Sequence, residues 1–423
     1  MMTSNTTLIG DRRRQALERT ASRRGHPSRR ADTRPLGPPP GAFYMIGLVV
    51  TVLIMLGLVM VFSASAITSL HRGNSPWRIF NRQLLWAVIG AISMITTARI
   101  PYHRWRRMIP FALVGAMCLM LLPHIPGLGR SVNESNAWVF IGPVGFQPSE
   151  FLKLAVLLYC ADLLARREQE MSNLRRTLRP LMVVLALGAL LSLVQGDLGG
   201  AIVLCAIVFA VAFLGGTPMT PMLFMTVAGA AGMSMFVFTS QRRMNRFTAF
   251  LDIAANKDYL SFQVYQAMIG MGTGGVSGTG VGRGPSKWGY LPLAHSDFIF
   301  AVIGEELGLI GVVAVIGCFL LLTYGGVQVA LAARDRFGAL LAGGIVAWLA
   351  VQAVINVGGV SGVMPVTGLT LPFVSSGGSS LFVCMTAAGL LLNIARHVAR
   401  PAAQPVAEPA ARPVGRPAAR PAK

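Results

Sequence analysis

The sequence predicts an all-α membrane protein of about ten transmembrane helices, with a large extracytoplasmic loop between the seventh and the eighth. Three observations carry that expectation. Of 423 residues, 53% are hydrophobic and 13% charged, against about 25% charged in soluble domains. The apolar residues gather into runs that reach the roughly 20 residues a spanning helix needs. The formal charge of +21, from 37 Lys+Arg against 16 Asp+Glu, falls mainly between alternate runs, as the positive-inside rule requires. A soluble enzyme and a disordered chain are both excluded by this composition. The basic excess needs no nucleic acid to explain it.

The runs follow in order. Residues 42–62 are a charge-free stretch of 21 and form the first span. Runs 83–98 and 108–123 come next, separated by the basic segment 99–107. A fourth lies near 151–165 and a fifth near 180–194. Residues 198–241 hold 44 positions without a charge, interrupted by Gly215-Gly216-Thr217-Pro218, which fits two helices and a tight turn. Run 298–333 makes the eighth span and is entered through Glu305 and Glu306. The 59 uncharged residues 337–395 are split into a ninth and a tenth by a Gly-, Pro- and Ser-rich middle, 358–380.

An even number of spans puts both termini on one side. With that side cytoplasmic, 26 of the 37 Lys+Arg lie inside and 10 outside, with Lys153 inside a span. The tails 1–41, rich in Arg, Pro and Gly, and 397–423, rich in Pro, Ala and Arg, carry too little apolar surface to fold. They are expected to be disordered and cytoplasmic, flanking a membrane domain over 42–396. The first 40 residues have neither the apolar core nor the cleavage site of a signal peptide. Cys118, Cys160, Cys205, Cys318 and Cys384 are scattered through apolar stretches; without a CxxC pair they read as small core hydrophobes.

Function belongs where the chain departs from apolar helix, in segments 129–153, 239–297 and 358–380, all expected on the extracytoplasmic side. Irregular backbone at membrane depth is tolerated only where it is buried in protein or lines a cavity, so 358–380 is expected to line a groove. Glu150 and Lys153, three apart, meet on one helix face, either as a structural ion pair or as site residues. Asp197 suits a helix cap, and Glu305 and Glu306 suit structural partnerships with an Arg or a backbone group. Asp297 follows a loop that carries Arg283, Lys287, Trp288, Tyr290 and His295. It can cap the next helix or act as a general base at the wet edge of the membrane. A pair of acids of the glycosidase type needs about 5–9.5 Å between carboxyl groups. Glu305 would stand about 12 Å further along the helix, so one acid acts alone or its partner comes from elsewhere. Arg242, Arg243, Arg246, Arg283 and Lys287 are solvated charges or contacts to substrate phosphates. A lateral groove with outer basic residues suits a lipid-linked phosphorylated substrate.

At these residues the chain resembles a known family. YLPLAHSDFIFAVIGEELGLIG at 290–311 is similar to the signature of the SEDS proteins (shape, elongation, division and sporulation). NVGGVSGVMPVTGLTLPFVSSGGSS at 356–380, GFQPSEFLK at 145–153, QGDLG at 195–199, RFTAFLD at 246–252 and SAS at 63–65 extend the likeness over about residues 43–396. The resemblance implies a ten-span peptidoglycan glycosyltransferase that polymerises lipid II into β-1,4 glycan strands at the outer face of the cytoplasmic membrane. Undecaprenyl diphosphate is released. It implies Asp297 as the essential acid and base, and Glu150 and Lys153 as a functionally important ion pair. Arg246, Lys287 and the turn with Ser375, Gly377, Gly378 and Ser379 are implied near the substrate groove. Also implied are a class B penicillin-binding protein and other division proteins as partners, and a divalent cation, Mg or Mn, whose ligands the sequence does not identify. GEELG and PVTGLTLP resemble the division and sporulation branch, and hence a septal location, more than the elongation branch. Leu293, Ser376 and Thr367 depart from the family's Glu, Tyr and Lys. The alternatives are a lipid-precursor flippase, an elongation-type polymerase and a non-catalytic scaffold.

Overall fold

A computed structural model describes residues 40–398 apart from 72, 133–134, 143, 171–173, 240 and 260. The two expected tails lie outside the described residues, save for 40–41 and 397–398. The chain opens with α1 (Gly41–His71), α2 (Arg78–Arg99), the short α3 (Tyr102–Trp105) and α4 (Ile109–Leu119). Three strands follow, β1 (Gly129–Val132), β2 (Ser135–Ile141) and β3 (Val144–Phe146). Next come α5 (Pro148–Arg166), α6 (Leu174–Val194), α7 (Leu198–Leu214) and α8 (Met219–Phe238). Helices α9 (Gln241–Leu251) and α10 (Phe262–Gly274) precede the long α11 (Ile299–Ala332), and α12 (Arg336–Val360) and α13 (Gly378–His397) complete the chain.

Each of the ten expected runs overlaps a helix, although run 108–123 extends beyond α4. Among the described residues, seven helices are long and apolar enough to cross a membrane: α1, α2, α6, α8, α11, α12 and α13. The apolar stretches 109–124 and 198–214 are shorter, and α5 carries Glu150, Lys153 and Asp162 among its apolar residues. Outward faces are apolar as well: α2 exposes Leu84, Leu85, Val88, Ile92 and Ile95. Such a stripe is stable only against lipid or protein, and the chain is a multi-pass membrane protein. At the centre, α13 lies along α2, and α12 packs on α5, α7 and α11. Small residues bring α2 and α13 close: a Cβ on Gly389 would come within 2.1 Å of the Thr97 hydroxyl. Ser93 and Thr386 share a hydrogen bond of 2.7 Å, the usual glue where lipid removes any hydrophobic drive between helices.

The structure adds detail to the expectation in three places. Segment 129–153 carries an antiparallel sheet of order β1-β2-β3 over residues 129–146. Pairs Val139–Phe146 and Ile141–Val144 close the second hairpin. The alternation in SNAWVFI, before a turn at Gly142, was the signal. The long loop after α8 likewise contains α9 and α10. Segment 358–380 is buried in protein at Leu369, Leu371, Phe373, Val374 and Ser375, whereas Val363 and Met364 are exposed.

Helix α11 is interrupted. Gly308 stands at φ 66, ψ −161, between two stretches of regular helix. A positive φ is open to glycine at little cost, and the break frees backbone groups that lipid could not satisfy. The Gly-rich segment after α10 satisfies them: Thr279 N–H donates to Glu305 O at 2.9 Å and Gly280 N–H to Glu306 O at 3.0 Å. In return Leu309 N–H donates to Gly275 O at 2.9 Å. A Cβ on Gly308 would sit 2.4 Å from Gly278 N, so the crossing requires glycine. The break leaves a leading half-helix, residues 299–307, with Asp297 just before it.

Candidate active site

Among the described residues, one buried ion pair lies on α5 and another engages Glu306 of this half-helix. On α5, Glu150 and Lys153 meet at 2.7 Å, one turn apart; Pro148 at the first turn starts the helix and places Glu150 within it. Lys153 Nζ also donates to Gln352 Oε1 at 3.3 Å and lies 5.8 Å from the centre of the Trp348 ring. Lys287 meets Glu306 at 2.9 Å, with both side chains almost fully buried. Glu306 accepts further from Ser63 Oγ at 2.7 Å and from Gly282 N–H at 3.0 Å. Glu306 thus pairs with a lysine, not an arginine, and the Lys287 ammonium is consumed inside the protein instead of facing a substrate phosphate. Glu305, 1% exposed, accepts from Ser286 N–H at 3.1 Å.

The acids of the motifs then separate by duty. Asp197 caps α7, accepting from Gly200 N–H at 2.7 Å, and also receives Ser149 Oγ at 2.7 Å and Gln147 Nε2 at 3.0 Å. It therefore ties the start of α5 to the start of α7. Phe298, not Asp297, stands at the residue position before the first turn of α11. Asp297 is half-buried, and its carboxylate faces the strap of residues 361–377: a Cβ on Gly368 would lie 3.7 Å from Oδ2. Its backbone carbonyl accepts from Asn356 Nδ2 at 2.9 Å. The strap is fastened again where Ser376 N–H donates to His295 O at 3.0 Å.

Two non-glycine residues with positive φ mark this junction, Leu293 at φ 57 and Phe373 at φ 66. Such conformations cost of order 1–3 kcal/mol and persist where the surroundings hold them. Ser375 serves the strap, its Oγ accepting from Leu371 N–H at 2.8 Å, whereas Ser379 Oγ accepts from Gln147 N–H at 3.1 Å and joins the start of α13 to the start of α5. Gly377 and Gly378 form the start of α13, where a Cβ on Gly378 would come within 2.1 Å of Trp86 Nε1. Arg246 lies on α9, and its side chain, like those of Arg242 and Arg243, falls outside the described residues. Arg283 is exposed on the loop after α10. Thr367 is partly buried beside the start of α7, with its carbonyl 2.9 Å from where a Cβ on Gly199 would lie. Among the described residues no group of three or more His, Cys, Asp or Glu is placed to hold a metal ion, so no step below runs through one.

Reading the sequence alone missed Gln352 and Asn356. Their signal was present: with Asn393 they are the three side-chain amides in the uncharged run 337–395, and their spacing of four puts them on one helix face. Gln352 Nε2 donates to Thr370 O at 2.9 Å, and Asn356 Nδ2 to Leu369 O at 2.7 Å. The strap therefore links the α5 ion pair to Asp297 through two amides of α12.

Comparison with known proteins agrees with this arrangement. Residues 44–400 match the cell cycle protein family of FtsW, RodA and SpoVE. The chain belongs to that family. It is 37% identical over 348 residues to a probable peptidoglycan glycosyltransferase FtsW of Geobacter sp. (strain M18), covering 82% of this chain and 95% of that one. It is 35% identical over 353 residues to stage V sporulation protein E of Bacillus subtilis (strain 168), covering 84% and 96%. Among solved structures, a chain of a peptidoglycan synthase complex that coordinates polymerisation and crosslinking superposes with a TM-score of 0.68 at 28% identity, over 84% of this chain and 97% of that one. The rod shape determining protein RodA of Thermus thermophilus superposes at 0.62 and 27%, over 84% and 97%. This SEDS chain thus shares its whole membrane domain with its relatives.

Proposed function

We propose that this SEDS chain is a peptidoglycan glycosyltransferase that polymerises lipid II into β-1,4 glycan during cell division, at the outer face of the cytoplasmic membrane. The named activity of the FtsW relatives supports the reaction, and the distribution of basic residues supports ten spans with both termini cytoplasmic. One observation carries the choice of catalytic group. Glu150 and Glu306 are buried in ion pairs, Glu305 is buried against Ser286 and Asp197 caps a helix, whereas Asp297 is half-buried at the mouth of a broken helix.

In this reading the Asp297 carboxylate takes the proton of the acceptor sugar hydroxyl as its oxygen attacks the donor's anomeric carbon. The bond from that carbon to the diphosphate breaks, and undecaprenyl diphosphate leaves with the electron pair. Diphosphate is a stabilised leaving group, so no second acid is needed to protonate it; fixed cations can hold its charge, and exposed Arg283 is a candidate. A class B penicillin-binding protein is the proposed partner, a divalent cation is a proposed requirement with no ligand assigned, and the septum is the proposed location.

The test is Asp297→Asn, which keeps size and removes the base. Purified with its transpeptidase partner and given lipid II, it should fold normally yet polymerise about 10²–10⁴-fold more slowly. Near-normal glycan from a well-folded variant would overturn the assignment. Translocation of lipid II across vesicles without polymer from the wild type would favour the flippase reading.

A further inference from the structure

Asn356 lies near the end of α12 and is 5% exposed. Its one NH₂ group spends both protons on backbone carbonyls from two other segments: Asp297 O at 2.9 Å and Leu369 O at 2.7 Å. One amide thereby joins α12, the strap and the residue that carries the proposed base. One turn earlier, Gln352 grips Thr370 O while its own oxygen accepts from Trp348 Nε1 at 2.8 Å and from Lys153. The strap is held at two successive residues by two amides of one rigid helix, and only Asn356 reaches on to Asp297.

We propose that Asn356 is a positioning residue for glycosyl transfer. It sets the backbone of Asp297 relative to the strap and so aims a carboxylate that sits beside Gly368. The inference rests on Asp297 being the base. Asp297 precedes a half-helix of about two turns that ends at the Gly308 break, so continuous helix does not hold it in place. A displacement of about 1 Å at a reacting group can cost about 10²-fold in rate.

A matched control is built into the fold. Asn393 on α13 makes the same pair of bonds, donating Nδ2 to Ala98 O at 2.7 Å and Ile100 O at 2.9 Å, and is also buried. It fastens α13 to the connection between α2 and α3 instead of to Asp297. Loss of either amide removes the donor from two backbone carbonyls, and loss of Asn393 also frees Tyr102 N–H, which donates to Asn393 Oδ1 at 3.1 Å, so Asn393→Ala should lower stability at least as much as Asn356→Ala. Only one of them should disturb the reaction.

The experiment compares full-length wild type, Asn356→Ala, Asn393→Ala and Asp297→Asn, each purified with the transpeptidase partner. Initial polymerisation rates per folded molecule are measured against lipid II concentration, beside Tm in detergent. Asn356→Ala should lose about 10- to 100-fold in kcat, with KM within about three-fold of wild type. Asn393→Ala should lower Tm at least as much and keep its kcat. Asn356→Asp, equal in size but without the donor, should be as slow as the alanine variant at neutral pH. Where Asn356→Ala is not monodisperse, Asn356→Ser, which keeps one donor, takes its place with a smaller loss in kcat. Wild-type kcat in Asn356→Ala, or equal losses in the Asn356 and Asn393 variants, beside an inactive Asp297→Asn, overturns this inference alone. A fully active Asp297→Asn overturns the base assignment and this inference together.

Discussion

The two buried lysine–carboxylate pairs differ in how they are made. Glu150 and Lys153 belong to one helix turn and pair at 2.7 Å; the period of α5 alone brings them together. Lys287 and Glu306 are 19 residues apart and pair at 2.9 Å. They meet because the loop after α10 folds back onto α11 where Gly308 breaks it. Their surroundings differ too. Lys153 turns its spare capacity to a neutral amide, Gln352, whereas Glu306 gathers an ammonium, a hydroxyl and a backbone N–H. The local pair is an attachment on a helix that would form without it. The distant pair closes a loop, and Ser63 ties that loop to α1 as well.

Three sets of substitutions test this contrast, beginning with the largest effect. Removing one member of either pair, by Lys287→Ala, Glu306→Ala, Lys153→Ala or Glu150→Ala, leaves a buried charge and should cost about 3–5 kcal/mol. Yield of monodisperse protein and Tm in detergent report that loss. Charge reversal then separates the pairs. Glu150→Lys with Lys153→Glu keeps both charges on one helix face and should recover part of the stability. Lys287→Glu with Glu306→Lys should recover none, because a lysine at 306 cannot accept from Gly282 N–H. Equal recovery in both double variants would show that the surroundings of Glu306 do not matter.

The next effect is smaller and concerns the break that makes the distant pair possible. Gly308→Ala puts a side chain at positive φ and 2.4 Å from Gly278 N, and should destabilise by a few kcal/mol on the order of other strained backbone sites. Gly115→Ala in α4, where a Cβ meets nothing within 4 Å, should instead gain up to about 1 kcal/mol from helix propensity. Thermal unfolding of both variants decides it, and a harmless Gly308→Ala would mean that α11 can straighten there.

The smallest effect lies at the other end of the helices, where Asp335 caps α12. Burial raises its carboxyl, but hydrogen bonds from His103 and Tyr102, the nearby His103 charge and the Gly338 N–H outweigh that and hold it at about 2. A folded-state value below that of the unfolded chain, about 4, adds stability that is present above pH 4. That stability is lost as pH falls from about 4 through about 2. A Tm series over that range should fall more steeply for wild type than for Asp335→Asn. Parallel curves would remove Asp335 from the acid response.

Much of this could be read in advance because it is local. Residue types three or four apart revealed the α5 pair, and Gly and Pro marked the turn at 215–218. The cap at Asp197 followed from its place before an apolar run. The sheet over 129–146 was overlooked because its strands are short and sit among membrane runs whose length dominates the reading. Asn356 and Gln352 were overlooked because an amide in an apolar helix reveals its face and not its partner.

The sequence by itself determined the membrane class, the helical runs and the acids in its motifs, because apolar run length, charge placement and helix period depend on near neighbours along the chain. Which acid stands where chemistry can reach it was decided only by tertiary structure. Glu306 and Asp297 are nine residues apart in one motif, yet one is sealed by Lys287 and Ser63 while the other stands half-buried against the strap. That difference arises from contacts 59 residues away through Asn356 and 243 residues away through Ser63. Burial and hydrogen bonding depend on which segments the fold brings together, and no spacing along the chain encodes that.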